Sequence, residues 1–364
     1  MTLIMLLFIV GLTATGYLLH GLNPTTVKIE RNKKTVEALA EAKAAIVGWS
    51  VKNDTPGKLP CPEDVAAIGF TTEGQEMAAA GNCPSNIGRL PWRSLGVGDL
   101  RDGYGERLWY VLSPGFRVSP INSDTPAQLM VDGVASRAVA IIFSAGPIVG
   151  GQVRPTPTAA TPPDVIQYLD LSNNDGDNAF ITSGASVNFN DELLVINHDD
   201  LFGAVEKRVA GEVLNCLEIF AATNGGKYPW ASSLAPVDYI EDIATLTGRL
   251  PDSPGGGNWS GACAIPAGGS GWWLNWKEQV FFSIADEYKP TGAAATCGSC
   301  LTVNPPSASA DKKIVVIVAG KAIVGQNRAV NTTLTSYLEA PNSVGISFSQ
   351  QHSTPAFNDV VVYR

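Results

Sequence analysis

From Met1 to Asn23 the chain carries no Asp, Glu, Lys or Arg. Met1, Leu3, Ile4, Met5, Leu6, Leu7, Phe8, Ile9, Val10 and Leu12 open an apolar run that ends near Leu22. A helix of about 20 apolar residues spans a bilayer, so the pattern predicts a membrane-anchoring helix over 1–24. A secretory signal peptide would have a basic start and a small-residue cleavage site, and neither stands here. Pro24 predicts a kink or break, because proline removes a backbone donor and crowds the preceding turn. Beyond it, Val36, Leu39, Ala42, Ile46 and Trp49 recur at three- and four-residue steps. They predict an amphipathic helix over 26–51, with Glu30, Lys34, Glu37, Glu41 and Lys52 on the far face. One long continuous helix and a single-pass anchor followed by a linker helix fit this segment equally well.

The rest of the chain repeats itself. Gly57-Lys58-Leu59-Pro60-Cys61 has a counterpart in Gly226-Lys227-Tyr228-Pro229-Trp230, and Gly88-Arg89-Leu90-Pro91 in Gly248-Arg249-Leu250-Pro251. Leu108-Trp109-Tyr110-Val111 matches Val280-Phe281-Phe282, and Ala138–Gln152 matches Ile314–Gln326. Tyr168-Leu169-Asp170 returns as Tyr337-Leu338-Glu339, and Phe189-Asn190-Asp191 as Phe357-Asn358-Asp359. The order is kept throughout and most offsets lie between about 160 and 175 residues, which is a tandem duplication. Domain boundaries follow: an anchor over 1–24, a first unit over 25–196 and its duplicate over 197–364. Val139–Phe143 and Ile314–Val318 are short, β-branched and Gly-bounded, as buried strands are. A second helix is expected over Leu201–Thr223, after Asp199-Asp200, burying Leu201, Val205, Val209, Val213, Cys216 and Phe220.

Composition narrows the function. Hydrophobic residues make up 45% and charged residues 16%, with 37 Gly and 24 Pro, as in a folded, loop-rich protein. A net charge of −9 leaves no basic patch for phosphates, so nucleic acid is excluded as a general partner. Six Cys beside three His indicate disulfides and an oxidising compartment. Cys61 and Cys83 close a loop of about 20 residues, worth roughly 3 kcal/mol in the chain-entropy picture. Cys216 and Cys263 remain to pair with each other. Cys297-Gly298-Ser299-Cys300 is either a loop staple or a redox pair, and its small, polar, Pro-containing surroundings favour the staple.

Catalytic patterns are scarce. There is no Gly-x-Ser-x-Gly elbow and no phosphate-binding glycine loop followed by Lys and a hydroxyl. His20, His198 and His352 are scattered, so no enzymatic activity is expected. One loop could hold a metal: Asp170, Asn173, Asp175 and Asp177 offer oxygen ligands around Gly176, chemistry suited to Ca²⁺. The alternative is a plain Asx-rich turn. No other cofactor is expected. Trp259, Trp272, Trp273 and Trp276 fit a core or a subunit contact, or else a sugar-stacking surface.

Thr2-Leu3-Ile4 with the apolar run, the amphipathic helix, Gly57–Pro62, Gly88–Trp92, Asp102–Gly105 and Leu108–Tyr110 resemble type IV pilins and type II secretion pseudopilins. The likeness covers roughly residues 1–115. It implies an α+β fold: a long N-terminal membrane and filament-core helix, then two tandem pilin-like units, each a helix packed on an antiparallel sheet. It also implies a structural filament subunit, held in the inner membrane of a Gram-negative-type bacterium and then assembled into an extracellular pilus. Its partners would be identical N-terminal helices and the pilus or type II secretion machinery. A membrane-tethered adhesin that does not polymerise is the alternative. The family usually carries Glu at the fifth mature position, and Met5 stands here. The missing basic leader implies a processed or truncated chain. Ca²⁺ is held in a comparable loop by some pseudopilins.

Overall fold

The computed structural model describes residues 24–77, 81–118, 120–263, 265, 271–293, 296–351 and 353–364. The apolar positions Met1 to Leu12, and the chain before Pro24 where a break was expected, lie outside them. Helix α1 spans Pro24–Lys52. Its buried positions are Thr35, Ala38, Leu39, Ala42, Ile46 and Ser50. Val36, placed on this stripe by its spacing, is instead 60% exposed. The stripe includes hydroxyls that an apolar count overlooks. The Thr35 hydroxyl donates to Arg31 O (3.1 Å) and accepts the Gly103 N–H (3.0 Å), which turns that position inward.

The chain forms two compact units. Among the described residues the first comprises 24–46, Pro60–Leu112 and Leu129–Ile196. Its strands are β1 (Ile87–Arg89), β2 (Trp109–Leu112), β3 (Leu129–Val131), β4 (Val134–Ala138), β5 (Ala140–Ser144), β6 (Ala179–Phe180) and β7 (Glu192–Ile196). One sheet runs β1-β2-β5-β7, antiparallel throughout; the other runs β4-β3-β6. In the second sheet Met130 and Val131 pair with Ala179 and Phe180 in parallel. Trp109, Val111, Ile141 and Phe143 on the first sheet meet Leu129, Val131, Ala138 and Phe180 on the second, and Tyr168 and Leu169 close this core. Sheet-on-sheet burial of this kind removes most of the apolar surface from water. Lys43 Nζ donates to Val195 O (3.3 Å) and fixes α1 beside β7.

The second unit comprises Val47–Leu59, Ser113–Gln128 and Asn197–Arg364. It contains α2 (His198–Thr223), β8 (Thr247–Arg249), the short helix α3 (Trp273–Trp276), β9 (Val280–Ile284), β10 (Leu301–Val303), β11 (Ser307–Lys312), β12 (Ile314–Val318), β13 (Ser347–Phe348) and β14 (Val360–Tyr363). Its sheets, β14-β12-β9-β8 and β11-β10-β13, copy the first unit strand for strand, with β10 and β13 parallel. Helix α2 begins three residues earlier than the Asp199-Asp200 signal suggested. Asn197 is its cap, in a capping box with Asp200. Leu201, Val205, Val209, Val213 and Cys216 are buried as expected, and Phe220 is only partly so.

The expected fold is corrected in two respects. Among the described residues there are three α-helices, and none is long and apolar enough to cross a membrane. Charges from Lys28 to Lys43 interrupt α1 on too many turns. Each unit also holds two sheets rather than a helix on one antiparallel sheet, and the second contains a parallel pair. Strands of two or three residues, such as β6 and β13, are too short to display an alternating pattern. Disulfides join Cys61–Cys83, Cys216–Cys263 and Cys297–Cys300.

Candidate functional site

The paired motifs converge on one polar knot per unit. In the first, the Asp170 carboxylate accepts the Asn190 N–H (2.8 Å) and Gln152 Nε2 (2.7 Å). Asp191 returns the contact, accepting the Asp170 N–H (2.8 Å) and Asn173 Nδ2 (2.9 Å). Asn173 Oδ1 in turn accepts the Ile181 N–H (2.9 Å). In the second unit Glu339 accepts the Asn358 N–H (3.0 Å), the Asp359 N–H (3.2 Å) and Gln326 Nε2 (2.7 Å). Asp359 accepts the Glu339 N–H (3.1 Å) and Asn342 Nδ2 (3.0 Å). An arginine completes each: Arg154 bonds Gly146 O (2.7 Å), and Arg328 bonds Gly320 O (2.6 Å). These bonds tie the segment before the closing strand to loops some 20 residues away in sequence, serving backbone groups that burial would otherwise orphan.

Burial dominates the electrostatics. It pushes the Asp191 carboxyl up to about 7, and raises Asp170 and Asp359 as well. A second group of ionisable residues lines a cavity of about 250 Å³ in the second unit, with His198, Glu206, Lys207, Lys321, Asn358 and Asp359 in its walls. Burial pushes Glu206 up to about 8, with Asp199, Asp124 and Glu339 adding repulsion. Burial lowers His198, whose Nε2 donates to Ser123 O (2.7 Å) while Nδ1 faces Asp199 (3.6 Å). Ser353 lines the same cavity. The cavity walls bring carboxyls, an imidazole, a hydroxyl and two lysine side chains together, an arrangement suited to hydrogen bonding and ion pairing.

No family model, curated protein or solved structure matches this chain. The site residues therefore rest on geometry alone.

The residues nominated for Ca²⁺ divide. Asp170 and Asn173 come together around Asp191, but their oxygens already accept N–H groups. Asp175 and Asp177 stand exposed, each receiving a backbone N–H two residues on, from Asp177 (3.2 Å) and Ala179 (2.6 Å). Calcium takes six to eight oxygens, and these four do not present such a set. Among the described residues no group of three or more His, Cys, Asp or Glu is placed to hold a metal ion. Trp259, Trp273 and Trp276 are buried, and Trp272 is partly exposed. Trp276 Nε1 donates to Pro56 O (3.4 Å) and Trp259 Nε1 to Pro251 O (3.0 Å). His20 and His352 lie outside the described residues. Glu206 was missed by sequence reasoning, although a carboxyl one turn after Phe202 and one before Ala210, on a buried helix face, is a legible anomaly.

Proposed function

We propose that the chain is a non-catalytic, exported structural subunit of a pilus-like filament, joined to its neighbours through the apolar segment that precedes α1. One observation carries this reading: the first turns of α1, Pro24–Glu30, are exposed or only partly covered, and burial begins at Thr35. Ile29 presents 60% of its surface on this stretch, and Val36, one residue past Thr35, presents 60% as well. This stretch follows directly in sequence on the apolar run of residues 1–23. Fifteen apolar side chains before Pro24, at about 1–2 kcal/mol each, favour burial against lipid or against sister copies. Heterologous contacts that do not close produce a filament. Three disulfides suit the oxidising exterior that such a role requires.

Negative-stain microscopy of sheared surface material, beside the full chain extracted in detergent, tests the reading. Filaments containing this chain are expected, and removal of residues 1–23 should abolish them while leaving a folded monomer. A full chain that stays a discrete monomer, with no filaments in sheared material, overturns assembly and leaves a tethered binding protein.

A further inference from the structure

The repeated motif that follows each long helix is put to different use in the two copies. The Leu59 N–H donates to Phe116 O (2.9 Å) and the Tyr228 N–H to Tyr288 O (2.9 Å), each acceptor closing the short turn after a central strand. Gly57-Lys58-Leu59-Pro60-Cys61 and Gly226-Lys227-Tyr228-Pro229-Trp230 therefore correspond in the fold as well as in sequence. Where the first copy has Leu59 and the disulfide-bonded Cys61, the second has Tyr228 and Trp230. These two rings and that of Phe220, from the last turn of α2, line a cleft of about 360 Å³ in the second unit. Clefts that hold small ligands begin at about 300 Å³. Trp230 and Phe220 are only half-buried, so part of each ring stays open to solvent.

The walls are held from behind. Phe220 packs edge-on against the buried Trp259, with ring centres 6.2 Å apart. The Tyr228 hydroxyl donates to Glu218 Oε1 (2.5 Å). Glu241 joins the two lips of the cleft, accepting the Trp230 backbone N–H (2.9 Å) and the Gly255 N–H (2.6 Å). Other polar groups of the walls are left over. Among the described residues Lys227 Nζ, Asn224 Oδ1 and the Trp230 indole N–H have no partner. One ammonium, on Lys227, offsets one carboxylate, on Glu241, so the cleft has no net charge to attract an ion. An anion would face Glu241, and a cation would face Lys227. A plain hydrocarbon would leave the three polar groups unanswered, at a cost for each. A neutral molecule with one apolar face and a rim of hydroxyls answers both the rings and the polar groups.

We propose that this cleft binds the neutral pyranose ring of a saccharide. The C–H face of the sugar lies against the aromatic walls, and its hydroxyls exchange hydrogen bonds with Lys227 Nζ, Asn224 Oδ1 and the Trp230 indole N–H. The site lies within one unit and does not depend on filament assembly.

Saturation-transfer NMR of the full chain, held in a detergent without a sugar headgroup, tests the site. The probes are the methyl β-glucoside, β-galactoside, N-acetyl-β-glucosaminide and α-mannoside, with sorbitol as a control that has the hydroxyls but no ring face. Saturable transfer to the ring C–H protons of one or more pyranosides is expected, with sorbitol bound about tenfold more weakly or not at all. Trp230→Ala should weaken the best pyranoside about tenfold. Lys227→Ala should weaken it about fivefold, and decides the matter should Trp230→Ala not fold. Absence of saturable transfer to all four pyranosides, equal binding of sorbitol, or undiminished binding by either folded variant overturns the proposal. Tighter binding of tetramethylammonium than of any pyranoside overturns it as well, and would make the cleft a cation site.

Discussion

Asp191 and Glu206 are carboxyls whose protons the fold retains. Each has a folded pKa raised by burial, to about 7 and about 8. Below about pH 4 both folded and unfolded chains hold these protons, and the groups do not oppose folding. As pH rises the unfolded chain ionises first, so stability falls through the window between about 4 and each folded value, by up to about 1.4 kcal/mol per pH unit and group. Asp191→Asn keeps an oxygen for the Asp170 and Asn173 donors and removes the charge. Its melting temperature relative to the parent should therefore rise between pH 5 and pH 8, as should that of Glu206→Gln. Melting curves that keep a constant spacing across this range would contradict the assignment. At this scale the sequence was partly legible. It singled out Asp170 and Asn173, and it showed Asn190-Asp191 as a repeated pair. What it could not show was that these four residues face one another, because the joining bonds reach across about 20 residues of loop and are set by the fold, not by local spacing.

At the scale of elements, the repeated Gly-Arg-Leu-Pro segments explain their own glycines. Both become edge strands, β1 and β8, and both are crossed by another stretch of backbone. Glu63 N donates to Arg89 O (2.9 Å), while Ser232 and Arg249 exchange a pair of bonds at 2.9 Å. A Cβ on Gly248 would lie 2.2 Å from Ser232 O, and one on Gly88 2.8 Å from Pro62 Cβ. Backbone oxygen cannot step aside as a proline ring can. Gly248→Ala should thus cost about 1–3 kcal/mol in urea unfolding, and Gly88→Ala distinctly less. Equal costs would mean that the Ser232 crossing is looser than it stands here. The long strands were readable, since β5 and β12 are continuous β-branched and apolar runs buried on both faces. The α1 face was misread by one position because Thr35 and Ser50 are buried, Thr35 through its hydrogen bonds to Arg31 O and from Gly103 N, which hydropathy does not register.

For the whole molecule, the duplication suggests cutting the chain at 196/197, yet the second compact unit is not contiguous in sequence. It takes Ser113–Gln128 from between β2 and β3, and that segment supplies buried partners. Asp124 accepts the Ala322 N–H (2.8 Å), Gln279 Nε2 (2.7 Å) and Arg328 Nε (3.0 Å). Ser123 O receives His198 Nε2, and Asn122 Nδ2 donates to Asn275 O (2.8 Å). Phe116 and Ile121 are fully buried, and Phe116 lies 5.8 Å from Phe202. No sequence pattern announces this, since a polar Asn-Ser-Asp turn in one repeat looks like an ordinary surface loop. A fragment of residues 197–364 would leave Arg328 without its carboxylate and expose the surface that Phe116 and Ile121 cover, and losing two large buried side chains costs about 2–5 kcal/mol each. That is a large share of the stability of a domain this size. The fragment should therefore lack a cooperative thermal transition and show collapsed amide dispersion by NMR, although it holds every strand of its two sheets. Adding a peptide of residues 113–128 should restore part of the dispersion. A fragment that melts cooperatively on its own would show that those strands, with α2, suffice, and that the borrowed segment only decorates a core already complete.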